Sequence, residues 1–255
     1  MTSGPSQRPG GDIAPLGRER ELERWARALA ASATGLPALI EVVGAPGIGK
    51  SRLLQEFALT ARAKGMNVLV GSQYPAGAPN PLPVRWAAEP EYTGIEELDA
   101  RLRETLRDGR TALGGPVLLL EDLHQAEAEL LALLARLLSV PPDGLVVAVA
   151  YRPRQADQAV AAALSSATGL RHEVLHLQGL VTEDIARLLG IAPGPLADTV
   201  ARLSGGNPLY AGAYRTMARS HRPPAGDELP DELPVDVARA LLVELSGLTS
   251  EERTV

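Results

Sequence analysis

The chain has 255 residues, a net charge of −6 and no cysteine, and 45% of its residues are hydrophobic. This hydrophobic content suffices for a sizeable core, and the length allows one large domain or two small ones. The acidic balance argues against a main nucleic-acid surface, and the lack of cysteine excludes disulfides and thiolate metal sites. Because no apolar run approaches the roughly 20 residues of a membrane span, we expect a cytoplasmic protein that binds no membrane.

The first predicted element is a helix that begins near Arg18, with Leu22, Trp25 and Leu29 at helical spacing. The twelve residues at the start of the chain are polar and rich in glycine and proline, which predicts a disordered leader. The Gly-Arg pair before the helix is also compatible with an ordinary helix start.

A phosphate-binding motif follows. Residues 38–43 are a short apolar run typical of a buried strand, and GAPGIGKS (44–51) fits the pattern G-x-x-x-x-G-K-[ST]. A helical pattern begins directly after it. Lys50 can reach the β- and γ-phosphates of a nucleotide, and the Ser51 hydroxyl can bind Mg²⁺. The alternative, a glycine-rich turn that happens to carry a lysine, is disfavoured by the flanking strand and helix. The predicted nucleotide contacts here are Gly44, Ala45, Pro46, Gly47, Ile48, Gly49, Lys50, Ser51 and Arg52.

The middle of the chain carries a second candidate site. A strand is predicted over 67–70, a proline-rich loop over 71–93 and an amphipathic helix over 94–108. Four apolar residues, 117–120, then precede Glu121 and Asp122. This pattern predicts a buried parallel strand with two acids at its carboxyl end, where ligands of open α/β sheets bind.

In a phosphate-loop protein, one such acid holds Mg²⁺ and the other can orient the attacking water. The residues do not decide which of Glu121 and Asp122 faces the metal. The alternative is a pair of acids that only begins the next helix.

Arg152 is a third candidate, because it follows a predicted strand over 145–150. It could sense the γ-phosphate or could equally be a surface arginine. The same part of the chain predicts a Leu-rich helix over 126–138, a weak helix over 154–167 and a fifth strand over 173–177.

After residue 181 the alternation of strand and helix stops. One short helix is predicted to be capped by Thr182, another starts at Pro195, and a third follows the segment SGGNPL (204–209). Residues 222–234 predict an acidic linker, and 235–255 the start of another helix. The histidines form no metal-ligand cluster and are interpreted as structural; they are His124, His172, His176 and His221.

These pieces, in this order, resemble the nucleotide-binding domain of STAND-type ATPases, in particular that of bacterial LuxR-family and SARP-type transcriptional regulators. The resemblance rests on PLGRERELERW (15–25), GAPGIGKS (44–51), VLLLEDLH (117–124), VVAVAYRP (146–153) and SGGNPL (204–209). The family usually has EDLHWAD, whereas this chain has EDLHQAE at 121–127.

The resemblance implies an α/β P-loop NTPase fold. A five-stranded parallel sheet sandwiched by helices, with the phosphate-loop strand central, would occupy 13–178, and an all-helical lid 179–221. Residues 235–255 would begin a winged-helix unit. Leu16, Gly17 and Arg18 would lie near the adenine, and Pro208 would contact the base from the lid.

The implied function is an ATP/ADP switch that uses Mg²⁺, hydrolyses ATP slowly and self-associates in its ATP state. DNA would be bound only through regions absent from this chain. Two alternatives remain: a standalone ATPase or phosphotransferase, and a degenerate scaffold that holds nucleotide without hydrolysis. The altered residues 125–127 favour the scaffold.

Overall fold

The computed structural model describes residues 16–71 and 95–213. Within these ranges strands and helices alternate up to the fifth strand, and only helices follow it. The elements are α1 (Glu19–Ala33), β1 (Ala38–Val43), α2 (Lys50–Ala63), β2 (Val68–Gly71), α3 (Ile95–Asp108), β3 (Val117–Leu120), α4 (Ala128–Ser139), β4 (Val146–Tyr151), α5 (Gln158–Ser165), β5 (Arg171–His176), α6 (Thr182–Leu189) and α7 (Pro195–Ser204). A further helix, α8, begins at 208.

All five strands form one parallel sheet in the order β2-β3-β4-β1-β5. The predicted five-stranded parallel sheet is therefore confirmed. The expectation that the phosphate-loop strand is central is wrong, because β4 occupies the middle and β1 lies between β4 and β5. Local patterns predict a strand, but its place in the sheet depends on how the connecting helices cross over.

Each face of the sheet carries its own hydrophobic core. Alternation along β1 sends Ile40 to the face covered by α1 and α2, where Trp25 and Phe57 stack with ring centroids 4.4 Å apart. Leu39 points to the opposite face and packs with leucines of α3 and α4. Because both faces are covered, β1, β3 and β4 are apolar over nearly their whole length.

One charged side chain interrupts this pattern. Glu41 lies in the middle of β1 and is 5% exposed. Its carboxylate accepts hydrogen bonds from the Tyr151 hydroxyl of β4 and from Nε2 of His172 in β5, both at 2.5 Å. The buried acid is thus paired within the sheet, and burial together with Glu41 raises the pKa of Tyr151.

The segment after β5 matches the predicted run of short helices, with small changes at their ends. Thr182 is the first residue of α6 and not its cap, since Val181 occupies that position. Gly205 ends α7 in the left-handed conformation. None of the helices in the described ranges combines the length and hydrophobicity that a membrane span requires.

Several sequence predictions lie outside the described residues. These are the leader, nearly all of the proline-rich loop, the linker and the start of a winged-helix unit; the first residue of the predicted loop, Gly71, ends β2. The fifth strand begins and ends slightly earlier than predicted, and the weak helix is shorter, at Gln158–Ser165.

Candidate functional site

The phosphate loop links the carboxyl end of β1 to the start of α2, as the motif requires. Gly47 and Gly49 have φ angles of 72° and 104°, which a residue with a Cβ rarely adopts. These two turns bring the backbone around so that α2 begins at Lys50. The N–H groups of its first turn are therefore available to an anion.

Lys50 lies at the centre of the site and is 7% exposed. Its Nζ donates hydrogen bonds to the carbonyl oxygens of Gly44 and Ala45, at 2.8 and 2.9 Å. Burial first, and then the nearby charge of Arg152, lower its pKa to about 8, while Asp122 acts in the opposite direction. A buried ammonium group that relies on two neutral carbonyls is well placed to gain from an anionic ligand.

The two candidate acids follow β3 and differ in their surroundings. Glu121 is 9% exposed, and burial raises its pKa, an effect opposed by a hydrogen bond from the Ser51 hydroxyl and enhanced by Asp122. Asp122 is the non-glycine residue with positive φ in the described part of the chain, at 49°. Ser51 of the loop is therefore near enough to Glu121 to influence its pKa.

Arg152 follows β4, at the same edge of the sheet. Its Nη1 donates to Oε1 of Gln155 at 3.2 Å, and its Nε is buried without a hydrogen-bond partner among the described residues. Its charge acts on Lys50 and on His124. Arg152 thus lies within electrostatic reach of the phosphate loop.

His124 belongs to the same cluster, although the sequence indicates only a structural role. Burial lowers its pKa, as do Arg152 and Lys50, whereas Asp122 raises it. Its Nδ1 is buried without a hydrogen-bond partner in the described ranges. The spacing of the histidines gives no sign of this placement, because the groups around His124 come from three different elements.

The segment before α1 supports the loop from the other side. The Arg18 guanidinium donates to the carbonyl oxygens of Ile48 and Gln178, at 3.0 and 2.8 Å. Gly17 lies against the Asp184 carboxylate of α6, which leaves no room for a Cβ. Arg18 is 5% exposed, and its two hydrogen bonds join the phosphate loop to the segment that follows β5. Leu16 is half-buried beside it.

The start of α8 contacts the phosphate loop directly. Nδ2 of Asn207 donates to the Pro46 carbonyl at 2.8 Å, while its Oδ1 accepts from Leu209 N at 3.0 Å. Asn207 thus caps α8, with Pro208 in the first helical position. A Cβ at Gly47 would lie 2.6 Å from the Cβ of Leu209.

The structure therefore gathers most of the predicted site around one edge of the sheet. Pro208 is half-buried beside the loop contact, and Nη1 of Arg52 lies 3.5 Å from Gln55 of its own helix. Asn207 and Asp184 were not among the predicted site residues. The segment SGGNPL was a usable signal for Asn207, whereas nothing in the sequence links Asp184 to Gly17.

Comparison with known proteins shows the fold. No protein-family model and no curated protein sequence matches the chain. Among solved structures, ORC2 of Aeropyrum pernix in ADPNP–ADP complexes matches with a TM-score of 0.55 and 16% identity, over 94% of this chain and 73% of that chain. RuvB of Thermotoga maritima matches with 0.50 and 19%, over 93% and 74%. A chain of the HORMA:CdnC:Trip13 complex of E. coli MS115-1 matches with 0.55 and 13%, over 92% and 90%. This chain thus shares the α/β fold of these structures, with its five-stranded parallel sheet flanked by helices.

Proposed function

We propose that this chain is a regulatory ATP/ADP-binding module that acts as a nucleotide-dependent switch in a bacterial transcriptional regulator. The observation that carries the proposal is the contact between the lid and the phosphate loop. Asn207 binds Pro46, and Leu209 packs against Gly47. The lid thus contacts the same loop that would hold the ligand, so each can affect the other.

Nucleotide as the ligand is supported by the chemistry of the loop. A strand, a left-handed glycine turn and a helix start surround the buried Lys50. The similar ORC2 structure was determined with ADPNP and ADP. The role in transcription rests on the sequence resemblance alone.

The oxygen groups beside the loop suit Mg²⁺, which is usually bound by one or two carboxylates together with phosphates and water. The Ser51 hydroxyl acts on the carboxyl group of Glu121, and Asp122 is the next residue along the chain. Ser51 and one of the two acids would hold the ion, which would neutralise charge on the phosphates. Slow hydrolysis would need the other acid to orient water.

A switch works only if its two nucleotides bind the two states with different affinity. We infer that ADP favours the state with the lid on the loop and that ATP favours a self-associating state. Hydrolysis would then return the module to the first state.

The first test identifies the nucleotide. The purified chain is denatured and any released nucleotide is analysed, with Lys50→Ala treated in parallel. We expect ADP from the parent and none from the variant. If the parent releases no nucleotide and binds neither ADP nor ATP in a titration, the proposal is wrong.

The second test separates a switch from the alternatives. Sedimentation is measured with ADP and with the non-hydrolysable analogue ADPNP, and turnover is measured for the parent and for Glu121→Gln. A switch predicts larger assemblies with ADPNP and a slow turnover that Glu121→Gln abolishes. Fast turnover without a change in assembly would favour a standalone ATPase, and binding without turnover a scaffold.

A further inference from the structure

His124 belongs to a turn that is unusual among the described residues of this chain. After β3 the backbone takes a left-handed conformation at Asp122, and a short 3₁₀ turn over Leu123–Gln125 follows. Hydrogen bonds from Gln125 N to the Asp122 carbonyl and from Ala126 N to the Leu123 carbonyl close it, at 2.8 and 3.1 Å. A left-handed non-glycine residue is uncommon and persists where the surroundings determine it.

The neighbouring leucine anchors this turn. Leu123 is 1% exposed and belongs to the core on the α3–α5 face of the sheet. The backbone position of His124 is therefore determined by a buried neighbour and a closed turn.

The ring lies among the charged groups of the phosphate site. Asp122, Arg152 and Lys50 all act on it, and they come from the ends of β3 and β4 and from the start of α2. Two of the three are cations. An imidazole near enough to two cations to feel their charge, and beside a loop that suits phosphate, can supply one more hydrogen bond to the same ligand.

The ring has few partners of its own among the described residues. Its Nδ1 has none there, and its Nε2 has only a long contact of 3.4 Å with Nε2 of the exposed Gln125. The other buried side-chain atom without a partner in those ranges is Nε of Arg152, in the same cluster. Buried polar groups are normally paired, and unpaired ones call for an explanation.

We propose that His124 hydrogen-bonds to the terminal phosphate of a bound nucleoside triphosphate and so lets the site distinguish a triphosphate from a diphosphate. This role rests on the proposed function, since it requires nucleotide at the loop. Lys50 and the loop backbone bind both ligands, whereas His124 contacts only the group that the diphosphate lacks.

The test compares affinities for ADP and ADPNP in the full chain by titration calorimetry with Mg²⁺. His124→Phe keeps a ring of similar shape and removes both nitrogens, and His124→Asn restores one N–H group at a similar position. His176→Ala, at an exposed histidine that ends β5, is the matched control. Circular dichroism and thermal melting show whether each variant is folded.

We expect His124→Phe to bind ADPNP about 5- to 10-fold more weakly than the parent, because one hydrogen bond is lost. Its affinity for ADP should stay within about twofold of that of the parent. His124→Asn should recover part of the ADPNP affinity, and His176→Ala should match the parent. Equal losses for both nucleotides, no loss for ADPNP, or no recovery with asparagine would each overturn the role of His124. A parent that binds neither nucleotide would instead refute the proposed function.

Discussion

Two clusters of polar side chains lie on the same sheet, each beside a buried charged residue, and their hydrogen bonds are completed in different ways. Glu41, in the middle of β1, has both carboxylate oxygens paired, with Tyr151 and His172. The cluster at the carboxyl ends of β3 and β4 keeps the buried Nδ1 of His124 and Nε of Arg152 without partners among the described residues.

The comparison separates a structural polar network from a binding one. A fully paired network stabilises one packing arrangement and gains nothing from a ligand. A network with unpaired donors costs stability in the free protein and recovers it when an external group binds. Mutations in the two clusters should therefore differ in whether they change folding or affinity.

The largest expected effect is on folding. Glu41→Ala should lower the free energy of unfolding by about 2–4 kcal/mol, because it leaves Tyr151 and His172 without their acceptor and creates a cavity. ADP affinity should stay within about twofold of the parent, since Glu41 does not contact the phosphate loop. Urea unfolding and calorimetry measure the two quantities, with the exposed Glu129→Ala as control. Unchanged stability would contradict the structural role.

The reverse pattern is expected at the phosphate loop. Lys50→Ala should weaken ADP binding about 10- to 100-fold, because one or more charge-assisted hydrogen bonds to the phosphates are lost. Its free energy of unfolding should not fall by more than about 1 kcal/mol, because the buried charge is itself costly, as its pKa of about 8 shows. If Lys50→Ala instead lost much stability and kept its ADP affinity, this cluster would be structural, like the one around Glu41.

A smaller effect tests whether the lid acts on the loop. Asn207→Asp keeps an acceptor for Leu209 N but loses the donor to the Pro46 carbonyl and places a negative charge beside the loop. We expect ADP to bind about 5-fold more weakly, with α8 still capped. Asn207→Ala loses the cap as well and should cost about 1 kcal/mol of stability in addition. Wild-type affinity in both variants would show that the contact does not couple the lid to the loop.

The smallest effect is pH-dependent. Tyr151→Phe should cost about 1 kcal/mol at neutral pH, the value of one hydrogen bond to Glu41. Because burial and Glu41 raise the pKa of Tyr151 in the folded state, the unfolded chain loses its proton first, above pH of about 10. The parent should therefore lose stability as the pH rises through this range, and the difference between the two proteins should shrink. Unfolding curves at pH 7 and above 10 would show this, and a constant difference would argue against the buried pair.

Much of the site could be predicted because its signals are local. The glycines, Lys50 and Ser51 lie on one continuous strand, loop and helix, so their spacing already places them together. The apolar run before Glu121 is also a local signal, because it predicts a strand that ends directly at the two acids. By contrast, no local pattern predicts the left-handed backbone of Asp122 or the burial of Leu123 in the core. Because these two features place His124 at the site, the sequence alone indicates only a structural role for this histidine.

The sequence by itself determined the type and order of the described helices and strands and the glycine turns of the phosphate loop. Each depends on the conformational preferences of a few consecutive residues. Only the tertiary structure decided that β4 lies beside β1, that Tyr151 and His172 pair with Glu41, and that Asn207 reaches Pro46. These contacts join residues more than 100 positions apart, and they arise from the way the strands and helices pack.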